Sequence, residues 1–237
     1  MKIRKRTAIL VFIIICLIAL LILVLQRISD DNISVNGNTY YSKEEIEKYI
    51  FQSEWDRNPY VLFLKSKFQE HKEIPFVDKY EISLSSFHNV NIRVYEKRMI
   101  GYVNYMGTNM YFDKDGTVVE SSHNTLENIP LVVGLDLNKL VLGEKLPVKS
   151  KTIFNMILDI TQALQKYSVQ VDKLYISKEK VARLYMGNVE VNLGDNQDID
   201  DKVRTLRDIT PNMQDLSGVL DLSTYNEKSQ RYDFTIK

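Results

Sequence analysis

Between Ala8 and Leu25 the sequence reads AILVFIIICLIALLILVL, 18 residues with neither a charge nor a proline. An α-helix of that length rises roughly 27 Å, about one hydrocarbon thickness. Lys2, Arg4, Lys5 and Arg6 precede the run, while Asp30 and Asp31 soon follow Arg27. The positive-inside bias therefore predicts a cytoplasmic tail at residues 1–7, a transmembrane helix at residues 8–26 that places the chain in the lipid bilayer, and an exported remainder. This is a single-pass type II topology. The rival is a cleaved signal peptide, whose apolar region is normally about 7–15 residues and ends at a small-x-small site. Here the run is longer and leads into VLQRIS.

Charge and cysteine usage narrow what the exported part can do. Four of the 31 basic residues lie in the tail, leaving 27 against 31 acidic residues, a net charge near −4. Such a balance gives no electrostatic reason to bind nucleic acid. The single cysteine, Cys16, lies inside the apolar run. The exported part thus has no internal disulfide, thiolate nucleophile or cysteine-ligated zinc. Isoleucines at 13, 14 and 15 are not the small residue that lipoprotein processing requires, so Cys16 reads as a small apolar residue of the run. About 210 residues remain outside, enough for one sizeable domain or two smaller ones.

Residues 33–46, ISVNGNTYYSKEEI, contain a strand pattern, a turn and a helix start. Ile33 and Val35 alternate with Ser34 and Asn36, Gly37-Asn38 tolerates positive φ, and Ser42 precedes Glu45 by three residues as a capping box. A helix is predicted over 43–52, with Ile46, Tyr49 and Ile50 on one side. A second is predicted over 61–71, where Leu62, Leu64 and Phe68 have the spacing of buried residues. Pro59 and Pro75 fence it. Strands follow at 77–84 and 90–95, the latter alternating Val90, Ile92 and Val94 with Asn91, Arg93 and Tyr95. This is a small βααββ unit with two helices on one face of its sheet.

Downstream, Asp113-Lys114-Asp115-Gly116 between the apolar pairs Tyr111-Phe112 and Val118-Val119 reads as a hairpin turn, Asp115 leading into a left-handed Gly116. A calcium loop with Gly116 at its sixth position would place Tyr111 first and Ser122 twelfth, neither a carboxylate. Residues 152–167 carry Ile153, Phe154, Ile157, Leu158, Ile160 and Leu164 as one helix face. Residues 175–193 read as two strands joined at Met186-Gly187-Asn188, and 198–208 as a short helix bearing Ile199, Val203 and Leu206. Strands close the sequence at 219–222 and 232–236, around the polar turn 226–229. The fold class is α+β, with a larger, mostly antiparallel sheet and flanking helices in the second part.

Catalytic signatures are missing. His71, His88 and His123 lie far apart and form no H-x-x-x-H or H-E-x-x-H pattern. The sequence has no phosphate loop, Gly-x-Ser-x-Gly elbow or Ser-x-x-Lys. No cofactor or metal site is predicted, and the reading is non-enzymatic. Two other classes compete, an anchored cell-wall enzyme and a small-ligand sensor. A tail of about seven residues argues against the sensor, since it offers no receiver inside.

Placed behind a type II anchor, ISVNGN, IPFVDKYEISL and NVNIRVYEKRMIGYV together resemble the polypeptide-transport-associated (POTRA) domain of the bacterial division proteins FtsQ and DivIB. The likeness extends through YFDKDGTVV (111–119), IPLVVG (129–134), VEVNLGD (189–195) and GVLDLS (218–223). It implies a POTRA domain over 30–98 and an FtsQ/DivIB-type β domain over 99–237. It further implies a septal scaffold that binds FtsL-like and DivIC/FtsB-like bitopic partners outside the membrane and links indirectly to a septal peptidoglycan synthase. The partner site implied is the segment after the Asp-Leu strand, with Leu222, Ser223, Thr224, Tyr225, Tyr232 and Phe234 as candidate residues. Thr224 stands where relatives often carry an aromatic residue. Physically, a terminal strand at a sheet edge offers unpaired backbone groups to an added strand, with aromatics as anchors. Equally, Tyr232 and Phe234 read as inward core residues.

Overall fold

The computed structural model describes residues 2–68, 72–86, 89–137, 139–213, 216–226, 228 and 231–236, with side chains from residue 8 onward. His71 and His88, and Glu227 and Ser229 of the polar turn at 226–229, lie outside these. Contacts divide the chain into two compact units, residues 1–96 and 97–237.

The first unit opens with helix α1, Lys2–Leu25, and no part of its apolar stretch Ala8–Leu25 is buried against the rest of the chain. A helix apolar on every side and covered by nothing needs an apolar solvent. Strand β1, Ile33–Asn36, then runs into the turn at Gly37, whose φ is +84° and where a Cβ would overlap the Val94 carbonyl oxygen. Asn38 closes the turn by donating to the Tyr41 carbonyl at 2.7 Å. The predicted capping box is present: Ser42 Oγ accepts from the Glu45 N–H and the Glu45 carboxylate accepts from the Ser42 N–H, starting α2, Lys43–Ile50. A 3-10 turn, Glu54–Arg57, leads to α3, Pro59–Phe68. Strands β2, Val77–Leu84, and β3, Val90–Glu96, complete a sheet of order β1-β3-β2, β1 parallel and β2 antiparallel to β3. Val90, Ile92 and Val94 meet Ile46 of α2 and Leu62 of α3 in one core, as the alternation requires.

Two expectations for this unit are corrected. The first helix ends at Ile50, two residues early, and the second begins at Pro59, also two residues early, while the expected end at 69–71 lies outside the described residues. More consequentially, only Leu62 of the three α3 residues expected inside is buried. Leu64 is 54% exposed and Phe68 82%. The spacing placed these two together correctly, but on the face opposite Leu62.

The second unit is built on one sheet of order β12-β11-β10-β9-β8-β7-β4-β5-β6. Its strands are β4, Gly101–Tyr105; β5, Thr108–Phe112; β6, Val118–Ser122; β7, Leu131–Val133; β8, Lys173–Ile176; β9, Ala182–Met186; β10, Val189–Gly194; β11, Gly218–Asp221; and β12, Asp233–Ile236. Five of its eight pairings are antiparallel, and β4-β7, β7-β8 and β10-β11 are parallel. Helices α4, Lys151–Tyr167, and α5, Ile199–Ile209, pack on each other and sink Met156, Ile157, Ile160, Val203 and Leu206 into the sheet's core. The β5-β6 turn follows the predicted chemistry. Asp113 Oδ1 accepts from the Asp115 and Thr117 N–H groups at 2.9 and 2.8 Å, and Gly116 has φ +74° beneath the Phe154 ring. The region read as two strands at 175–193 holds three, because β8 precedes a turn at Ser177–Lys180 with Lys180 at φ +65°.

Candidate partner-binding edge

The β10-β11-β12 end of the large sheet holds all six candidate residues. Parallel pairing sets Val191 beside Leu220 and Asn192 beside Asp221, with α5 as the crossover. Lys202 of α5, 1% exposed, donates from Nζ to the Leu193 carbonyl at 2.8 Å. Burial lowers its pKa despite the opposing influence of Asp195, Asp198 and Asp221. It thereby ties α5 to the end of β10.

Beyond β11 the ladder runs one residue further, Leu222 N–H donating to the Asn192 carbonyl at 2.8 Å. The chain then turns. Asp221 Oδ1 accepts from the Ser223 N–H at 2.8 Å and from Asn192 Nδ2 at 3.3 Å. Burial would raise the Asp221 pKa, but hydrogen bonds from Ser223 and Asn192 outweigh it and hold the carboxyl below its ordinary value. Gly194, at φ +70°, lets the turn approach closely; a Cβ there would lie 2.9 Å from Ser223 Cβ.

Strand β12 pairs antiparallel with β11, Leu220 opposite Phe234 and Asp221 opposite Asp233. Among the described residues no strand pairs with its other side, so β12 is a sheet edge. The candidates divide by exposure. Leu222 and Tyr225 are buried, Ser223 is half-buried and Thr224 is exposed. Phe234 packs partly on the core, while Tyr232, just before β12, and Ile236, at its end, are 47% and 75% exposed. By strand alternation these two share the face of Phe234, extending it as an apolar row along the open edge.

Two features of this edge escaped sequence reasoning. Gly218 lies so close to β12 that a Cβ there would overlap the Thr235 carbonyl oxygen, and Asp233 faces Asp221, a like-charge pair. A glycine opening a short strand was the available signal for the first. The second needed the register.

Elsewhere in this unit, a cleft of about 620 Å³ is lined by Lys114, Asp159, Lys166, Asn196 and Asp200. Within it Lys166 Nζ lies 2.7 Å from Asp200, and Asn196 Nδ2 donates to Asp159 at 2.6 Å. Among the described residues no group of three or more His, Cys, Asp or Glu is arranged to hold a metal.

The family model described as cell division protein FtsQ/DivIB, C-terminal, matches residues 101–223, slightly more than half of the chain. The chain belongs to the FtsQ/DivIB family. Membership assigns it a role in bacterial cell division. The FtsQ/DivIB match begins at β4 and ends at Ser223, so the turn after β11 marks its boundary and β12 lies beyond it. No curated protein matches the sequence.

Proposed function

We propose that the protein is a non-enzymatic, membrane-anchored scaffold of the division complex at the septum. In this reading α1 spans the cell membrane with the N-terminus inside, residues 30–98 form a POTRA domain, and residues 99–237 form the division domain outside. The partners are FtsL-like and DivIC/FtsB-like bitopic proteins, whose exported segments add to the sheet at β12. The observation that carries this reading is the open edge of β12, where unpaired backbone groups run beside the apolar row Tyr232, Phe234 and Ile236. Ser223 and Thr224 lie in the turn after β11, and Leu222 and Tyr225 on either side of them are buried in the core. The Asp221–Asp233 pair favours a partner with a basic residue at that register.

The test is the affinity of the full-length protein in nanodiscs for the exported segment of DivIC. Gly218→Ala pushes β12 off β11, its Cβ overlapping the Thr235 carbonyl oxygen and crowding the Phe234 ring. Losing even two or three backbone hydrogen bonds, about 1 kcal/mol each, together with part of the apolar row predicts affinity lowered by roughly thirtyfold or more. Deleting residues 231–237 should abolish binding while the melting of the remaining sheet persists. Full affinity in both variants, with both folded, refutes the edge site.

A further inference from the structure

Helix α3 has no polar face. Leu62 packs inward, and the opposite side presents Phe63, Leu64 and Phe68, which are 39%, 54% and 82% exposed. Lys67 is the cation on that side, its Nζ 4.7 Å from the Phe63 ring centroid, while Lys65 is turned away to pair with Asp56. A helix on a water-soluble domain normally reserves this side for charges.

Its position explains the exception. Asn58, 4% exposed, donates from Nδ2 to the carbonyls of Leu23, Val24 and Gln26 at 2.8, 3.2 and 3.1 Å, the last turn and exit of α1. Its Oδ1 accepts from the N–H groups of Tyr60 and Val61, starting α3. Arg27 pairs with Glu54 at 2.6 Å, the Ile28 N–H donates to the Arg57 carbonyl at 2.7 Å, and Arg57 pairs with Asp30. The 3-10 turn 54–57 is therefore fastened to the exit of α1 at both ends. Between those fastenings stands Trp55, 62% exposed and the sole tryptophan of the chain. The polar layer of a bilayer is about 5–7 Å thick on each side, and an element hydrogen-bonded to residues 23–28 starts inside it. Tryptophan is the side chain that layer enriches, and a lysine beside that layer can extend its ammonium to the phosphates.

We propose that Trp55 and the outer face of α3 dock onto the phospholipid surface that α1 crosses, so that α3 lies along the bilayer as an interfacial helix. This rests on the reading of α1 as a membrane span. Lipid is the occupant because the elements that carry the patch are bonded to the C-terminal exit of the apolar helix, and because its exposed members are an aromatic-rich set with one cation.

The experiment uses the full-length protein in phosphatidylethanolamine–phosphatidylglycerol vesicles whose acyl chains carry bromine near the glycerol or near the chain end. Flotation with the vesicles tests the anchor separately. Emission from Trp55 should be shifted to the blue, quenched by bromolipid, more strongly by the shallow bromine, and shielded from aqueous iodide. Moving the reporter with Phe68→Trp in a Trp55→Phe background samples the far end of α3, about 15 Å along the helix. Both positions are exposed, so neither change costs folding. Quenching from both positions supports a helix lying flat. Protein that floats but keeps either reporter open to iodide overturns the docking and leaves the anchor standing. A reporter shielded from iodide yet untouched by bromolipid means that protein, such as a second copy, covers the face, and overturns the proposal. Protein that fails to float overturns the anchor reading and the docking with it.

Discussion

Replacing Asn58 with Ala removes two functions at once. As the residue capping α3 it accepts from two backbone N–H groups, a role worth about 0.5–2 kcal/mol. As the tie to α1 it shares two amide hydrogens among three helix-end carbonyls, and at about 0.5–1.5 kcal/mol per hydrogen bond this adds roughly 1–3 kcal/mol. Allowing for water reaching some of those carbonyls, the sum is about 2–4 kcal/mol. At about tenfold per 1.4 kcal/mol, amide protection of β1 and β3 should fall by roughly thirty- to a thousandfold. Hydrogen exchange on the full-length protein in nanodiscs reads this directly. Asn58→Ser restores an acceptor for the α3 start with a side chain too short to reach α1, and should recover about 1 kcal/mol of the loss. An Asn58→Ala effect below about 1 kcal/mol, or equal losses in the two variants, would refute the account of Asn58 as a double cap.

Three further outcomes follow from other sites. Gly37→Val combines a positive φ with a clash on the Val94 carbonyl, and thermal melting of the membrane-proximal unit should drop by roughly 3 kcal/mol or more of stability; an unchanged melt disproves the turn. Burial would raise the Asp56 pKa, but hydrogen bonds from Lys65 and Ser53 outweigh it and leave the folded value below the ordinary 3.8. A lowered carboxyl pKa contributes stability that is full above the unfolded value and lost as pH falls through the folded one. The melting temperature of this unit should therefore decline below about pH 4, and Asp56→Asn should lack that part of the decline. Asp233→Asn removes the like charge opposite Asp221 and should raise the stability of the β11-β12 pairing by about 0.2–1 kcal/mol, read as slower exchange of its amides; a loss would show that the two carboxylates do not repel across the strands.

Local chemistry was the legible part of this fold. Gly37, the Ser42–Glu45 box and Asp113 to Gly116 each act through atoms within a few residues, so their types and spacing were sufficient. The strands β4 and β8 were missed although β1 and β12 are as short, because the links 97–100 and 177–181 that set them off from β3 and β9 hold no glycine or proline to mark a break. Nor does any periodicity encode that β7 enters between β4 and β8, a pairing set by partners about 30–40 residues away. Leu64 and Phe68 failed for a different reason. Period 3.6 says which residues share a helix face, and only the medium decides whether an apolar face turns inward. Asn58, an unremarkable residue before a proline, reaches back 35 residues to act. At the candidate edge, β12 was legible as a strand, while the close approach at Gly218 and the Asp221–Asp233 opposition needed the register.

The tie at Asn58 also fixes a compass heading. Because it holds particular carbonyls of α1, the direction in which the βααββ unit faces around the helix axis is a function of helix phase. Each residue inserted in or removed from α1 before Leu23 turns that heading by about 100° and shifts the unit by about 1.5 Å, while leaving every contact within it intact. Seven residues restore the heading to within about 20°. In the proposed topology, a neighbouring helix that grips one stripe of α1 inside the bilayer would thus aim the domain outside it, and a single-residue deletion in the apolar run would misdirect a perfectly folded protein.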